Sequence, residues 1–121
     1  MAYPKPLIEG YKAGADLRLL QNTFVKLSAD NAVVGCGSGE IPVGILMNTP
    51  NTDEDAEVAI DGGCELKLGS GGATRNASLA SLALGKGGAV TSGSASAIAL
   101  ETGVEGDIIP VLIDRHVGRS V

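Results

Sequence analysis

Apolar and polar positions alternate along this chain in short bursts, and the bursts come twice. Pro42-Val-Gly-Ile-Leu-Met-Asn48 reads as an apolar strand, Thr49 to Asp55 as a polar, acidic loop, and Ala56-Glu-Val-Ala-Ile60 as an alternating strand. The same order returns as Ala97-Ile-Ala-Leu100, then Glu101 to Asp107, then Ile108-Ile-Pro-Val-Leu-Ile113. At an offset of 53, Ile45 falls on Ile98, Met47 on Leu100, Val58 on Val111 and Ile60 on Ile113. Four coincident apolar positions predict a duplicated strand-loop-strand unit, which is a scaffold signal rather than a catalytic one.

Upstream of the first copy, Thr23-Phe-Val-Lys-Leu27 and Ala32-Val-Val-Gly35 flank Ser28-Ala-Asp-Asn31, whose side chains suit a reversal, so a hairpin is expected. Its echo is placed at Leu82-Ala-Leu84, Gly85 to Gly88 and Ala89-Val-Thr91, an offset of 57 that sets Leu27 over Leu84 and Val33 over Val90. Cys64, Leu66 and Leu68 alternate with Glu65 and Lys67 as one more half-buried strand. Between residues 74 and 83 the helix propensity of Ala and Leu competes with the repeat, and the repeat predicts strand from Leu79 onward. Eighteen glycines spaced between short Val, Ile and Leu segments predict an all-β fold, a small barrel or sandwich built from two quasi-repeats, over residues 23–113.

Residues 1–22 read differently. Pro4 and Pro6 favour extended backbone and Gly10 and Gly14 keep it pliable, so this stretch is expected to be an N-terminal arm. It carries two of the three aromatics, Tyr3 and Tyr11, and an extended segment with tyrosine anchors suits a groove on a partner. The partner-binding candidates are Tyr3, Pro4, Pro6, Leu7, Ile8, Tyr11, Leu17, Leu19 and Leu20. The competing reading is a frayed terminus or an edge strand packing on its own domain. Residues 114–121 are expected to be a mobile, polar tail.

Composition sharpens this picture. At 121 residues one domain is expected, and its 44% apolar content includes one Phe, two Tyr and no Trp, so the core must be thin. Burying a Val, Leu or Ile contributes ~1.5–3 kcal/mol, against about 1.5 kcal/mol to order each residue. Self-association or docking on a larger surface follows as an expectation. The net charge of −5 divides into +1 on each terminal segment and −7 on residues 23–113, and an acidic body argues against nucleic acid as a partner, although solubility explains the same charge. Cys36 and Cys64 lack metal-site spacing and read as free thiols of a reducing compartment. Charges and prolines in the first twenty residues argue against a secretory leader, and no apolar run approaches a membrane span of ~18 residues, so synthesis in a cytoplasm and no membrane partner are expected.

The search for chemistry finds little. His116 stands alone near the C-terminus, and no Gly-x-Ser-x-Gly occurs. The acidic loop around Asp53-Glu-Asp55 lacks the residue order of a calcium loop. Gly35-x-Gly37-x-Gly39 is followed by Ile41-Pro42 rather than by a helix, and Gly69-Ser-Gly-Gly72 has no Lys-Ser/Thr pair, so these glycines read as turns, not phosphate cradles. No catalytic residue, metal site or cofactor is expected.

Phe24-Val-Lys-Leu-Ser-Ala-Asp-Asn31, Ile41-Pro-Val-Gly-Ile-Leu46, Ala56-Glu-Val-Ala-Ile-Asp-Gly62 and Gly106-Asp-Ile-Ile-Pro-Val-Leu-Ile113 together resemble the capsid cement, or head decoration, proteins of tailed bacteriophages, those with an N-terminal arm before a compact β domain. The resemblance implies a structural virion protein made in the bacterial host cytoplasm. It implies a place on the outer face of the icosahedral shell, bound to the major capsid protein, often as a homotrimer and otherwise as a dimer, and stabilising the shell. The alternative from the residues alone is a small-ligand or carbohydrate-binding β-barrel, which the scarcity of aromatics for sugar stacking opposes.

Overall fold

The structure, a computed structural model, describes residues 6–90, 94–113 and 119–120. Leu7–Ala13 forms β1, Phe24–Ala29 β2, Ala32–Gly35 β3, Gly44–Leu46 β4 and Asp55–Lys67 β5. Ser78–Ser81 is β6, Gly87–Ala89 β7, Ser94–Ala95 β8, Ala97–Ala99 β9, Ile108–Ile113 β10 and Arg119–Ser120 β11. Among the described residues the regular structure is therefore β, apart from a 3₁₀ turn at Ala83–Gly85.

Strand order runs β1-β3-β2-β4-β5-β10-β9-β6-β7, and β1 also pairs with β5, which closes the first five strands into a barrel. Closure leaves this ring without a free edge to template aggregation. The second set repeats the first. β4 meets β5 with Ile45 opposite Ala59 and Leu46 opposite Val58. β9 meets β10 with Ile98 opposite Leu112 and Ala99 opposite Val111, the same register moved by 53. In the hairpins, Val25 lies opposite Gly35 and Leu79 opposite Ala89, a shift of 54. Lys12 lies opposite Asp55 and Lys67 opposite Ile108, so the second half of β5 does for β10 what β1 does for the first half of β5. The ring is completed by parallel pairing of Ala13 with Val33 in one case and by the parallel bridge of Leu68 with Gly87 in the other. The molecule is thus a tandem of two five-stranded barrels sharing one long strand.

The loops repeat as closely. Ala13 N–H donates to the Glu54 carbonyl as Leu68 N–H donates to that of Asp107, and Val43 N–H donates to Val25 as Ser96 N–H does to Leu79. One acidic side chain braces each loop from within. Glu54 Oε1 accepts the N–H of Asn51 at 2.6 Å between β4 and β5, and Asp107 Oδ2 accepts that of Val104 at 3.0 Å between β9 and β10.

Two side-chain clusters form the interior. Ala13, Leu17, Val25, Val33, Leu46, Ala56 and Val58 fill the first barrel. Their counterparts Leu68, Ala73, Leu79, Ala99, Ile109 and Val111 fill the second, in a cluster that also takes in Phe24, Cys36, Ile45 and Ala59 from the outer wall of the first. The single phenylalanine, 1% exposed, is therefore mortar between the barrels rather than the centre of either.

Three expectations need correction. Residues 7–13 are not an arm apart from the body but the strand that closes barrel one, and Leu17 is in its core at 1% exposure. The second hairpin is placed by an offset of 54, not 57: its first strand is Ser78–Ser81, while Ala83–Gly85 is a turn with Leu84 at φ 62° and exposed. Gly87 and Gly88 sit within β7, where a Cβ would strike the side chains of Leu66 and Leu82, so there glycine marks close packing rather than a loop. In the C-terminal tail, Arg119–Ser120 pairs with Ser94–Ala95.

Candidate interaction surface

The nine sequence-predicted contact residues divide three ways. Tyr3 and Pro4 lie outside the described residues. Leu17 is spent on the core, and Tyr11 and Leu20 pack half-buried against the same cluster. Leu7 and Ile8 remain 46% exposed at the start of β1, opposite Asp61 and Ala59, with Pro6 half-buried before them, and Leu19 is 91% exposed in the loop that follows β1. That loop is held by a fork in which Arg18 donates from Nε and Nη2 to the two oxygens of Asp16, at 2.9 and 2.8 Å. The guanidinium, reinforced by the Arg18 backbone N–H, holds the Asp16 carboxyl down at about 2.

A second surface escaped the sequence reading. On barrel one, Leu27 and Ile41 stand 51% and 57% exposed beside half-buried Val43, and together with Pro42 they line a shallow depression. Lys26 Nζ and Glu40 Oε2 pair across its rim at 2.6 Å, and the lysine, helped by the Gly37 N–H, holds the Glu40 carboxyl below its ordinary value. The apolar signal was present in Phe24-Val-Lys-Leu27, but strand alternation alone does not tell that β2 outruns the barrel that it lines.

The two cysteines are not activated as nucleophiles. Cys36 is buried and donates to the Glu40 carbonyl at 3.6 Å, and burial pushes its thiol up. Burial likewise pushes the Cys64 thiol up to about 11. Asp55 of the acidic loop is engaged by Lys12 Nζ at 2.9 Å. Among the described residues no three His, Cys, Asp or Glu side chains are grouped to hold a metal, and no helix is long and apolar enough to cross a membrane. His116 lies outside the described residues.

No family model and no curated protein matches the sequence. The structure is similar to the crystal structure of the head fiber gp8.5 N base in bacteriophage phi29, at a TM-score of 0.70 and 13% identity, over 92% of this chain and 96% of that one. The likeness therefore covers both barrels. At this identity it shows a shared fold.

Proposed function

We propose that this chain is a structural protein of a tailed-phage head, a non-enzymatic component that sits on the outer face of the shell, holds the major capsid protein and strengthens the particle. The observation that carries the reading is the likeness of the tandem barrel, across nearly all of both chains, to the base of a phage head fiber. Three features of the molecule support it. The barrel interiors are filled by aliphatic side chains rather than shaped as ligand chambers. Of the aromatics, Phe24 is buried and Tyr11 half-buried, which leaves the carbohydrate-binding alternative without a stacking platform among the described residues. The acidic body repels packaged DNA.

The shell contact is assigned to Leu7 and Ile8, exposed at the lip of barrel one, with Tyr3, Pro4 and Pro6 before them in the sequence, and to Leu19 on the loop that follows β1. Strengthening follows from mass action. A protein that binds only the assembled shell stabilises it by about 2.7 kcal/mol per site at a hundredfold excess over Kd, and many sites act together.

The test is made on particles of the virus that encodes the chain. Heads purified without the protein are expected to take it up saturably on cosedimentation and then to resist heating that bursts untreated heads. Leu7→Asp with Ile8→Asp should abolish uptake while the circular dichroism spectrum stays intact. Heads that neither carry nor bind the chain would overturn the proposal.

A further inference from the structure

The tandem contains its own template for association. Across the outer wall of barrel one runs the row Ala59, Ile45, Phe24, set by the pairing of Ala59 with Ile45 and of Ile45 with Phe24, and Cys36 adjoins it through its N–H bond to the Phe24 carbonyl. All four are 0–2% exposed, because barrel two sits on them. Barrel two presents one end to this wall. Lys67 N–H donates to the Asn22 carbonyl at 2.7 Å, the Ser81 carbonyl accepts from Gly39 N–H at 3.0 Å, and Gly85 lies against the Phe24 carbonyl.

The equivalent row of barrel two is Leu112, Ile98 and Ser78, joined by the same pairings, with Val90 donating to the Ser78 carbonyl. These four are each only half-buried. The end that would have to meet them is present in barrel one: Lys12, Leu27 and Asn31 correspond to Lys67, Ser81 and Gly85, and all three are exposed. Where barrel two offers a serine, barrel one offers the apolar Leu27, which suits a wall of Val, Ile and Leu.

We infer that the wall Val90, Ile98 and Leu112 of barrel two receives the Lys12, Leu27 and Asn31 end of barrel one from a second copy of this chain, so that copies join head to tail by the contact that already joins the two barrels. Such an interface uses two different patches, and it closes into a ring where the rotation permits and otherwise extends as a filament. It does not use the Leu7 and Ile8 lip, so its failure would leave the proposed head contact standing.

The experiment uses the full chain in light scattering after size exclusion, over a wide concentration range. The wild type is expected to associate as concentration rises. Leu112→Arg on the wall and Leu27→Glu on the end should each weaken association by about tenfold or more, the effect of losing one central contact. Ser78→Arg serves as a second wall variant, since it adds bulk to the row without removing apolar packing, and thermal melts establish that each variant folds. The deciding step is to mix Leu112→Arg with Leu27→Glu. A head-to-tail contact leaves one intact wall and one intact end between them, so a 1:1 dimer should form at a concentration where each variant alone is monomeric. A wild type that remains monomeric throughout, folded variants that still associate, or a mixture that yields no dimer would each overturn the inference.

Discussion

Asn22 and Asn76 adopt the same left-handed backbone conformation, φ 65° and 70°, at the same point of the two barrels. Each donates its N–H at 2.8 Å to the last residue of the strand ahead, Leu46 for one and Ala99 for the other. The two residues stand 54 positions apart, and the sheet registers around them move by 53 to 55, so the duplication preserved backbone torsions as well as strand pairing.

Asparagine tolerates this region better than other residues that carry a Cβ, and a β-branched side chain does not. Asn22→Gly is therefore expected to leave the melting temperature within a few degrees of wild type, while Asn22→Val costs about 1–2 kcal/mol. Asn76→Val should cost a similar amount in barrel two. A chemical denaturation series on the wild type and these variants checks this, and equal stability of the valine and glycine variants would contradict it.

Much of this duplication is written in the aliphatic positions. Ile45 with Ile98 and Val58 with Val111 can be aligned because the members of each pair lie on equivalent strands, β4 with β9 and β5 with β10. β1 could not be aligned that way. Its counterpart is Gly63 to Leu68, which begins within the continuous strand β5, and Tyr11-Lys-Ala13 shares with Leu66-Lys-Leu68 only the lysine. The prolines and glycines that suggested an arm lie before, within and just after a strand whose purpose, closing the ring through residues far along the chain, is set by pairing rather than by local composition. The outer patches were hidden for a related reason: Leu27 and Leu17 are the same residue type, and only the path of the folded backbone separates an exposed leucine from a buried one.

Leu17 and Leu19 make that distinction measurable. Leu17→Ala removes a 1%-exposed side chain from barrel one and should cost about 2–5 kcal/mol, whereas Leu19→Ala, at 91% exposure, should stay within about 0.5 kcal/mol of wild type. Thermal or urea unfolding distinguishes them. Comparable small losses at both positions would show that the segment after β1 is not part of the core.

The Asp16 and Arg18 fork predicts a pH dependence. The folded carboxyl is held at about 2 against an ordinary 3.8, so its contribution to stability is complete above 3.8 and is lost as pH falls towards 2. The pair lies at the surface in contact with solvent, and the effect on unfolding will be small. The titration itself is the sharper observable: carboxyl-carbon NMR should show Asp16 titrating well below the other aspartates, and Arg18→Ala should return it to near the ordinary value. An Asp16 that titrates normally in the wild type would remove the fork from solution.

The two cysteines give the last measurement. Burial raises both thiols, Cys64 to about 11, and at Cys36 the opposing pull of the Ser81 hydroxyl and of Lys26 does not overcome it. Since the thiolate is the reacting form, neither residue should react at pH 8 with an aromatic disulfide reagent at the rate of an unfolded cysteine. Cys36, buried and donating to the Glu40 carbonyl, should be the slower, because its exposure requires the two barrels to part. Urea should then release both thiols, and Phe24→Ala, which loosens the packing between the barrels, should speed Cys36 more than Cys64. Rapid labelling of Cys36 in the native protein would mean that the barrels separate freely, and the shared wall that serves here as the template for self-association would no longer be a stable contact.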